Sequence, residues 1–243
     1  MHPPAVARER APAKLTLSLR VTGVRPDGYH LLDAEMVTLD LADELEFGDG
    51  DGIEVVGPAA AGVPDGSDNL VARALGAVGR RAHVRLRKHI PAGAGLGGGS
   101  ADAAAVLRWA GRADPQLAAG LGADVPFCLV GGRARVRGVG EVVEPLPPEA
   151  RTFTLLVPPV AVPTPAVYRM WDALGGPAGE GGNDLEAAAL AVEPALARWR
   201  DILGEETGRT PRLAGSGGTW FVEGEFPGSG RLVVRTDGAT GGG

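Results

Sequence analysis

The chain has 243 residues, 44% of them hydrophobic, 39 glycines and a formal net charge of −6. That apolar share suits a folded globular protein with core enough for one large domain or two small ones. An acidic chain is a poor partner for the phosphate backbone of nucleic acid, and no run approaches the 18 apolar residues of a membrane span.

In chain order, Lys14 to Val21 alternates: Leu15, Leu17, Leu19 and Val21 are expected on one face of a strand, Lys14, Thr16, Ser18 and Arg20 on the other. Arg25-Pro26-Asp27-Gly28 is a turn, and Tyr29 and His30 follow it. Two further strands are expected at Met36 to Leu41 and Asp43 to Phe47, and another at Ile53 to Val56. Asp68 to Arg80 has helical spacing, with Ser67 or Asp68 as its N-cap. A strand carries Val84, Leu86 and Ile90, and an alanine-rich helix opens near Ser100 and ends near Gly111. Arg133 to Val139 is strand-like, and Pro145-Leu146-Pro147-Pro148 marks a boundary between units at 1–148 and 149–243. Beyond it come a strand at Phe153 to Val157 and a helix from Thr164-Pro165 to Leu174, with proline at its first position. Helices at Asp184 to Ala191 and Pro194 to Glu206 follow, then strands at Trp220 to Val222 and Leu232 to Val234. Asp237 to Gly243 reads as a mobile tail. The fold class is α+β in two parts, each pairing helices with a mostly antiparallel sheet.

Cys128 is the single cysteine, so no internal disulfide exists, and residues 1–12 lack the apolar core of a signal peptide. A cytoplasmic setting is the expectation. Cys128 lies in the apolar run Phe127 to Val130 and is read as a buried small hydrophobe. His2, His30, His83 and His89 lack the spacing of a zinc site.

The most informative segment is Pro91-Ala92-Gly93-Ala94-Gly95-Leu96-Gly97-Gly98-Gly99-Ser100-Ala101. Glycine permits positive φ and lets a ligand approach bare backbone. The helix behind it opens with unpaired amides and the positive end of its dipole, so the segment suits phosphate. It is not a Walker loop, since no lysine precedes Ser100. It matches GxGxxG formally, but no strand-like run ending in an acidic residue follows at the distance a dinucleotide fold needs. Composition adds a second signal. Of 24 basic residues only Lys14 and Lys88 are lysine, and Asn69 and Asn183 are the only asparagines. Against such a skew, a lysine marks a place where a compact point charge serves and a planar fork does not. Lys14 is therefore a candidate for contact with a phosphate or a reacting oxygen.

Three ordered segments resemble the motifs of the galactose, homoserine, mevalonate and phosphomevalonate (GHMP) kinases. They are Pro12-Ala13-Lys14, the loop at Pro91 to Ala101, and Ala214-Gly215-Ser216-Gly217-Gly218. Asp27 to His30, Asp68-Asn69-Leu70, Leu121 to Pro126, Pro163-Thr164-Pro165 with Tyr168, and Asn183 to Glu186 are most similar to the branch that acts on 4-diphosphocytidyl-2-C-methyl-D-erythritol. The resemblance implies a first domain like ribosomal protein S5 domain 2 and a ferredoxin-like second domain. It also implies transfer of a phosphoryl group from ATP, with Mg²⁺, to the 2-hydroxyl of that small molecule. Carried over by position, Asp124 is the base and Lys14 orients it and stabilises the attacking oxygen. Tyr29, His30 and Tyr168 hold the cytosine, Asn69 and Lys88 lie near the adenine, and Gly215, Ser216 and Gly217 close the site. Thr16 stands where the family has asparagine, so a substrate hydrogen bond is either lost or remade by its hydroxyl. The C-terminal part is short for the family, and no acidic metal ligand declares itself. Partners are expected to be small molecules, with no nucleic acid or membrane, for a monomer or weak homodimer. Rival readings are a sister kinase for mevalonate or homoserine, an NAD-dependent oxidoreductase, and a non-catalytic RNA-binding module.

Overall fold

The structure, a computed structural model, describes residues 7–237. Residues 238–243, most of the expected tail, lie outside the described residues.

Two sheets organise the chain. The first is built on a long hairpin in which β1 (Ala7–Val24) runs antiparallel to β2 (His30–Gly48). Gly28, with φ 85°, supplies the positive dihedral of the turn between them. Strand β2 has β1 along one side and two partners along the other. Strand β5 (Arg133–Gly138) covers its first half and β4 (His83–Arg87) its second. Strand β3 (Gly52–Val56) joins β4 in parallel, and β6 (Val142–Pro145) pairs with β5. The second sheet is antiparallel throughout, in the order β10 (Arg231–Arg235), β7 (Thr152–Leu156), β9 (Trp220–Glu223), β8 (Arg212–Leu213).

Two expectations for the hairpin are corrected. The strands anticipated at Met36 and Asp43 are one strand. Asp43 stays in the ladder opposite Ala11 because its buried carboxylate is paired, by the Lys88 ammonium and by the amides of His89 and Ile90. Leu15, Leu17, Leu19 and Val21 do not share one environment. Leu15 and Leu17 pack with Leu39, Phe153 and Phe221, where the two sheets meet, while Leu19 and Val21 join the cluster that contains the helices. A register shift between Thr16 and Ser18 rotates the strand at that point.

Helix α1 (Leu70–Ala77) is capped by Asn69, not by Ser67 or Asp68: the Asn69 carbonyl accepts from Val71 N at 2.8 Å while its amide donates to Pro64 O at 2.6 Å. Helix α2 (Gly98–Trp109) opens two residues before Ser100, and Ala101 to Leu107 are all buried. Its alanines let it lie close against the first sheet. Two short helices follow, α3 (Pro115–Leu121), capped by Asp114, and α4 (Val125–Val130). Helix α5 (Thr164–Ala173) takes Thr164 as its first residue, so Pro165 is second. Helix α6 (Glu186–Val192) starts later than expected because the Asp184 carboxylate is committed to Arg20 and to the amides of Val21 and Gly179. Helix α7 (Leu196–Thr207) packs its buried Leu196 and Leu203 with Trp220 of β9.

Candidate active site

The glycine segment joins β4 to α2. Gly93, Gly95 and Gly97 have φ of 72°, 75° and 70°, which turn the chain back and end it at the helix N-cap. No side chain caps α2, and the amides of Gly98, Gly99 and Ser100 make no hydrogen bond among the described residues. Three free N–H groups at the positive end of a three-turn helix suit an anion. A cleft of about 240 Å³ lies against the loop, lined by Pro91 to Gly99 and by Asn69, Lys88 and Asp102. Ser100 and Ala101 carry the segment on into the helix. After α2 come α3 and α4, and no parallel strand adjoins β4 on that path, so the formal dinucleotide match has no βαβ context.

Lys14 adjoins this loop. Its backbone N–H donates to Leu96 O at 3.0 Å, and a Cβ on Gly97 would fall 2.7 Å from Lys14 Cγ. The ammonium, buried, donates to Thr16 Oγ1 at 3.1 Å and pairs with Asp124 Oδ2 at 3.2 Å. Asp124 occupies the N-cap position of α4, yet its carboxylate accepts no capping hydrogen bond. It faces Lys14 instead. The third glycine motif closes on the same point. A Cβ on Gly215 would lie 3.4 Å from Thr16 Oγ1, and one on Gly217 would lie 2.5 Å from Gly95 Cα. Thr219 Oγ1 donates to Ala94 O at 2.6 Å, and Ser216 Oγ lies 2.9 Å from Thr164 Oγ1. Three segments far apart in sequence therefore meet backbone to backbone.

A larger cleft, about 700 Å³, is lined by Lys14, Thr16, Asp124, Gly215 and Ser216 and by Tyr29, His30 and Tyr168. The His30 ring lies 4.7 Å from Tyr168 and edge-on to Trp171, and its Nε2 is 2.8 Å from Asp172 Oδ1. Tyr29 is 62% exposed at the rim, an aromatic face open to a flat ligand. Burial, aided by the Asp124 charge, pushes the Tyr168 phenol upward, so it remains a neutral donor. The structure thus gathers the aromatic candidates in one cleft with Lys14 and Asp124, and Asn69 and Lys88 in the other with the glycine loop.

Several residues make contacts at the site that the sequence did not suggest, among them Lys88, which was expected near the adenine. Lys88 is held between Asp43 and Asp102, with side-chain exposures of 4%, 0% and 2%. Burial alone would lower Lys88, but the Asp102 and Asp43 carboxylates outweigh it and raise it. Burial pushes Asp102 up to about 7, against the pull of Lys88 and with the help of the Asp43 charge. Asn183 donates to Leu213 O at 3.0 Å and Gly215 O at 2.7 Å and accepts from Leu185 N at 3.0 Å, which pins the closing loop. Asp172 anchors His30. The scarcity of lysine and asparagine was the available signal for Lys88 and Asn183; nothing in the pattern singled out Asp43, Asp102 or Asp172. Cys128 is buried and desolvation pushes its thiol up, which keeps it from acting as a nucleophile. Among the described residues no helix is long and apolar enough to cross a membrane.

Comparison with known proteins agrees with this geometry. Residues 69–132 match the model of the GHMP kinases N terminal domain. The chain is 43% identical over 238 residues to a 4-diphosphocytidyl-2-C-methyl-D-erythritol kinase of Paracoccus denitrificans, covering 90% of this chain and 87% of that one. It is also 43% identical to the kinase of the same name from Dinoroseobacter shibae, covering 93% and 88%. A crystal structure of 4-(cytidine 5'-diphospho)-2C-methyl-D-erythritol kinase superposes with a TM-score of 0.75 at 33% identity, over 96% of this chain and all of that one. The mevalonate kinase of Methanococcus jannaschii, at 11% identity and a TM-score of 0.57, shares the fold. With the two-domain GHMP kinase architecture, the glycine loop and relatives of that identity along nearly its whole length, the chain belongs to the 4-diphosphocytidyl-2-C-methyl-D-erythritol kinase family.

Proposed function

We propose that the protein transfers the γ-phosphoryl group of ATP to the 2-hydroxyl of 4-diphosphocytidyl-2-C-methyl-D-erythritol, in the non-mevalonate route to isoprenoid precursors. The observation that carries this reading is the Lys14–Asp124 pair at 3.2 Å, which lines the larger cleft while Lys14 touches Gly97 of the phosphate loop.

In this reading the triphosphate rests on the free amides of Gly98, Gly99 and Ser100. Asn69 and Lys88 line the nucleotide's cleft, Gly217 meets Gly95 of the phosphate loop, and Gly215 and Ser216 line the alcohol's cleft beside Lys14. Tyr29, His30 and Tyr168 hold the cytosine by stacking and hydrogen bonds, which places the sugar alcohol beside Asp124. Thr16 keeps Lys14 in place and completes the wall of the alcohol's site. The hydroxyl oxygen attacks the γ-phosphorus, Asp124 takes the hydroxyl proton, and the bond from the γ-phosphorus to the bridging oxygen breaks. ADP leaves with that electron pair. Lys14 orients Asp124 and stabilises the charge on the attacking oxygen. Phosphoryl transfer asks for little else than such positioning and charge stabilisation. Mg²⁺ enters as part of the nucleotide substrate and supplies neutralisation of the phosphate charge. Among the described residues no three His, Cys, Asp or Glu side chains gather as a resident metal site.

Steady-state kinetics of two variants test the roles. Asp124→Ala is expected to lower turnover by on the order of 10²–10⁴, the worth of a positioned base. Lys14→Ala is expected to cost on the order of 10²–10³, by analogy with removal of a donor that stabilises developing charge. Unchanged turnover in either variant would contradict the assignment.

A further inference from the structure

The loop that cradles phosphate rests on a buried set of charges that the reaction above does not use. Asp43, from β2, accepts at Oδ1 from the amides of His89 at 2.5 Å and Ile90 at 2.9 Å, the two residues that lead into the loop. Its Oδ2 pairs with the Lys88 ammonium, which also donates to Asp102 Oδ2 at 2.6 Å, in the opening turns of α2. A Cβ on Gly98 would lie 3.3 Å from Lys88 Nζ, so the ammonium sits against the first residue of the helix. One cation thereby joins the strand that enters the loop to the helix that leaves it.

We propose that Lys88, clasped by Asp43 and Asp102, is a positioning residue for the phosphate loop: it fixes the loop's two ends relative to each other and does not bind the base of the nucleotide. The inference rests on the nucleotide reading given above. Three features support it. Both of the ammonium's acidic partners belong to the protein, and although Lys88 lines the cleft, its side chain is only 4% exposed and its ammonium is committed to Asp43 and Asp102. Buried ion sets are seldom more stabilising than apolar side chains of the same volume, so stability alone is a weak reason to keep three charges here. Asp102 Oδ1 is buried without a hydrogen-bond partner, a cost that a set selected only for stability would remove. The choice of lysine in a chain that otherwise uses arginine also fits: a compact ammonium seats between two carboxylates where a planar fork would not.

The test uses calorimetric titration of the whole protein with two probes, a non-hydrolysable ATP analogue and inorganic tripolyphosphate, which has no base. With Lys88→Met the ends of the loop separate, and amides lose their hold on phosphate oxygens. Both probes are expected to weaken by the same factor, on the order of 10–10²-fold, as when one charge-assisted hydrogen bond is lost. KM for the diphosphocytidyl alcohol stays near its starting value, a split that general loss of structure would not produce. If Lys88→Met does not fold, Lys88→Met with Asp102→Asn removes one buried carboxylate along with the ammonium and carries the same expectation. A weaker ATP analogue with unchanged tripolyphosphate would show a contact with the base and overturn the proposal. Unchanged binding of both probes in a folded variant would overturn it as well. If the unsubstituted protein bound neither probe, the nucleotide reading itself would fall, and this inference with it.

Discussion

Gly217→Ala isolates the closing contact between the two domains. Gly217 has no positive φ, so alanine is acceptable to its backbone; what it meets is Gly95, whose Cα would lie 2.5 Å from the new Cβ and whose N would lie 2.9 Å away. Carbon atoms prefer about 3.5–4.0 Å, so the two loops must part by roughly 1 Å. Neither side of the contact is the end of a flexible side chain, and both loops touch Lys14: Gly97 beside its stem and Gly215 near its ammonium. A shift of about 1 Å at reacting groups costs on the order of 10² in rate. Stability should fall by about 1–3 kcal/mol, the range for overpacking. The assay is coupled ADP release at saturating substrates, with thermal unfolding in parallel. Gly76→Ala is the control: it lies on α1 with nothing within 4 Å of the added methyl, and a helical alanine is expected to stabilise by about 0.5–1 kcal/mol with turnover unchanged. Turnover within twofold of the original in Gly217→Ala would refute the reasoning that close approach of these loops sets the site.

Further expectations concern binding and stability. Tyr168→Ala removes a stacking face from the larger cleft and should raise KM for the cytidyl substrate by roughly tenfold, at about 1–3 kcal/mol per stacked base, while KM for ATP holds; equal rises in both would sink the cytosine assignment. Asn183→Ala leaves two buried carbonyls and one amide without their partner and should lower unfolding free energy by about 1–3 kcal/mol in a denaturant titration; an unaltered midpoint would contradict the pinning role. Asp184 gives a pH dependence. Burial would raise its carboxyl, but the Gly179 amide, Arg20 and the Val21 amide outweigh burial and hold it below the usual carboxylate range. Its stabilising effect is therefore present above an unfolded pKa of about 4 and is lost as pH falls through the lowered native value. The stability gap between the protein and Asp184→Asn should be clear at neutral pH and shrink in acid; a gap that widens in acid would reverse the sign.

Local pattern revealed what local physics decides. The glycine run, the alanine-rich helix behind it and the alternation around Lys14 were legible because each is a statement about neighbouring residues. The rotation of β1 at Leu17 was not, since a bulge leaves the alternation of residue types intact while changing the face they occupy. Strands β6 and β8 and helix α3 are too short to leave a period. The meeting of Lys14 with Asp124 and Gly215 comes from chain topology, and residue spacing alone could only suggest it through resemblance to a family. Asp43 and Asp102 were invisible for the same reason: a carboxylate in a strand or helix declares its partner only when β2, β4 and α2 are packed together. The shortage of lysine and asparagine was the better guide, for Lys14, Lys88, Asn69 and Asn183 are all at most 5% exposed. A polar side chain buried that deeply must have partners.

The most direct measurement supplies the protein with ATP and one alcohol at a time, diphosphocytidyl methylerythritol, mevalonate or homoserine, and follows the phosphorus spectrum of the products. ADP together with a new phosphate monoester at the 2-position of the first alcohol alone is expected, and with Asp124→Ala both signals should grow more slowly by on the order of 10²–10⁴. Phosphorylation of mevalonate or homoserine at a comparable rate, or no phosphoryl transfer to any of the three, would contradict the proposed function.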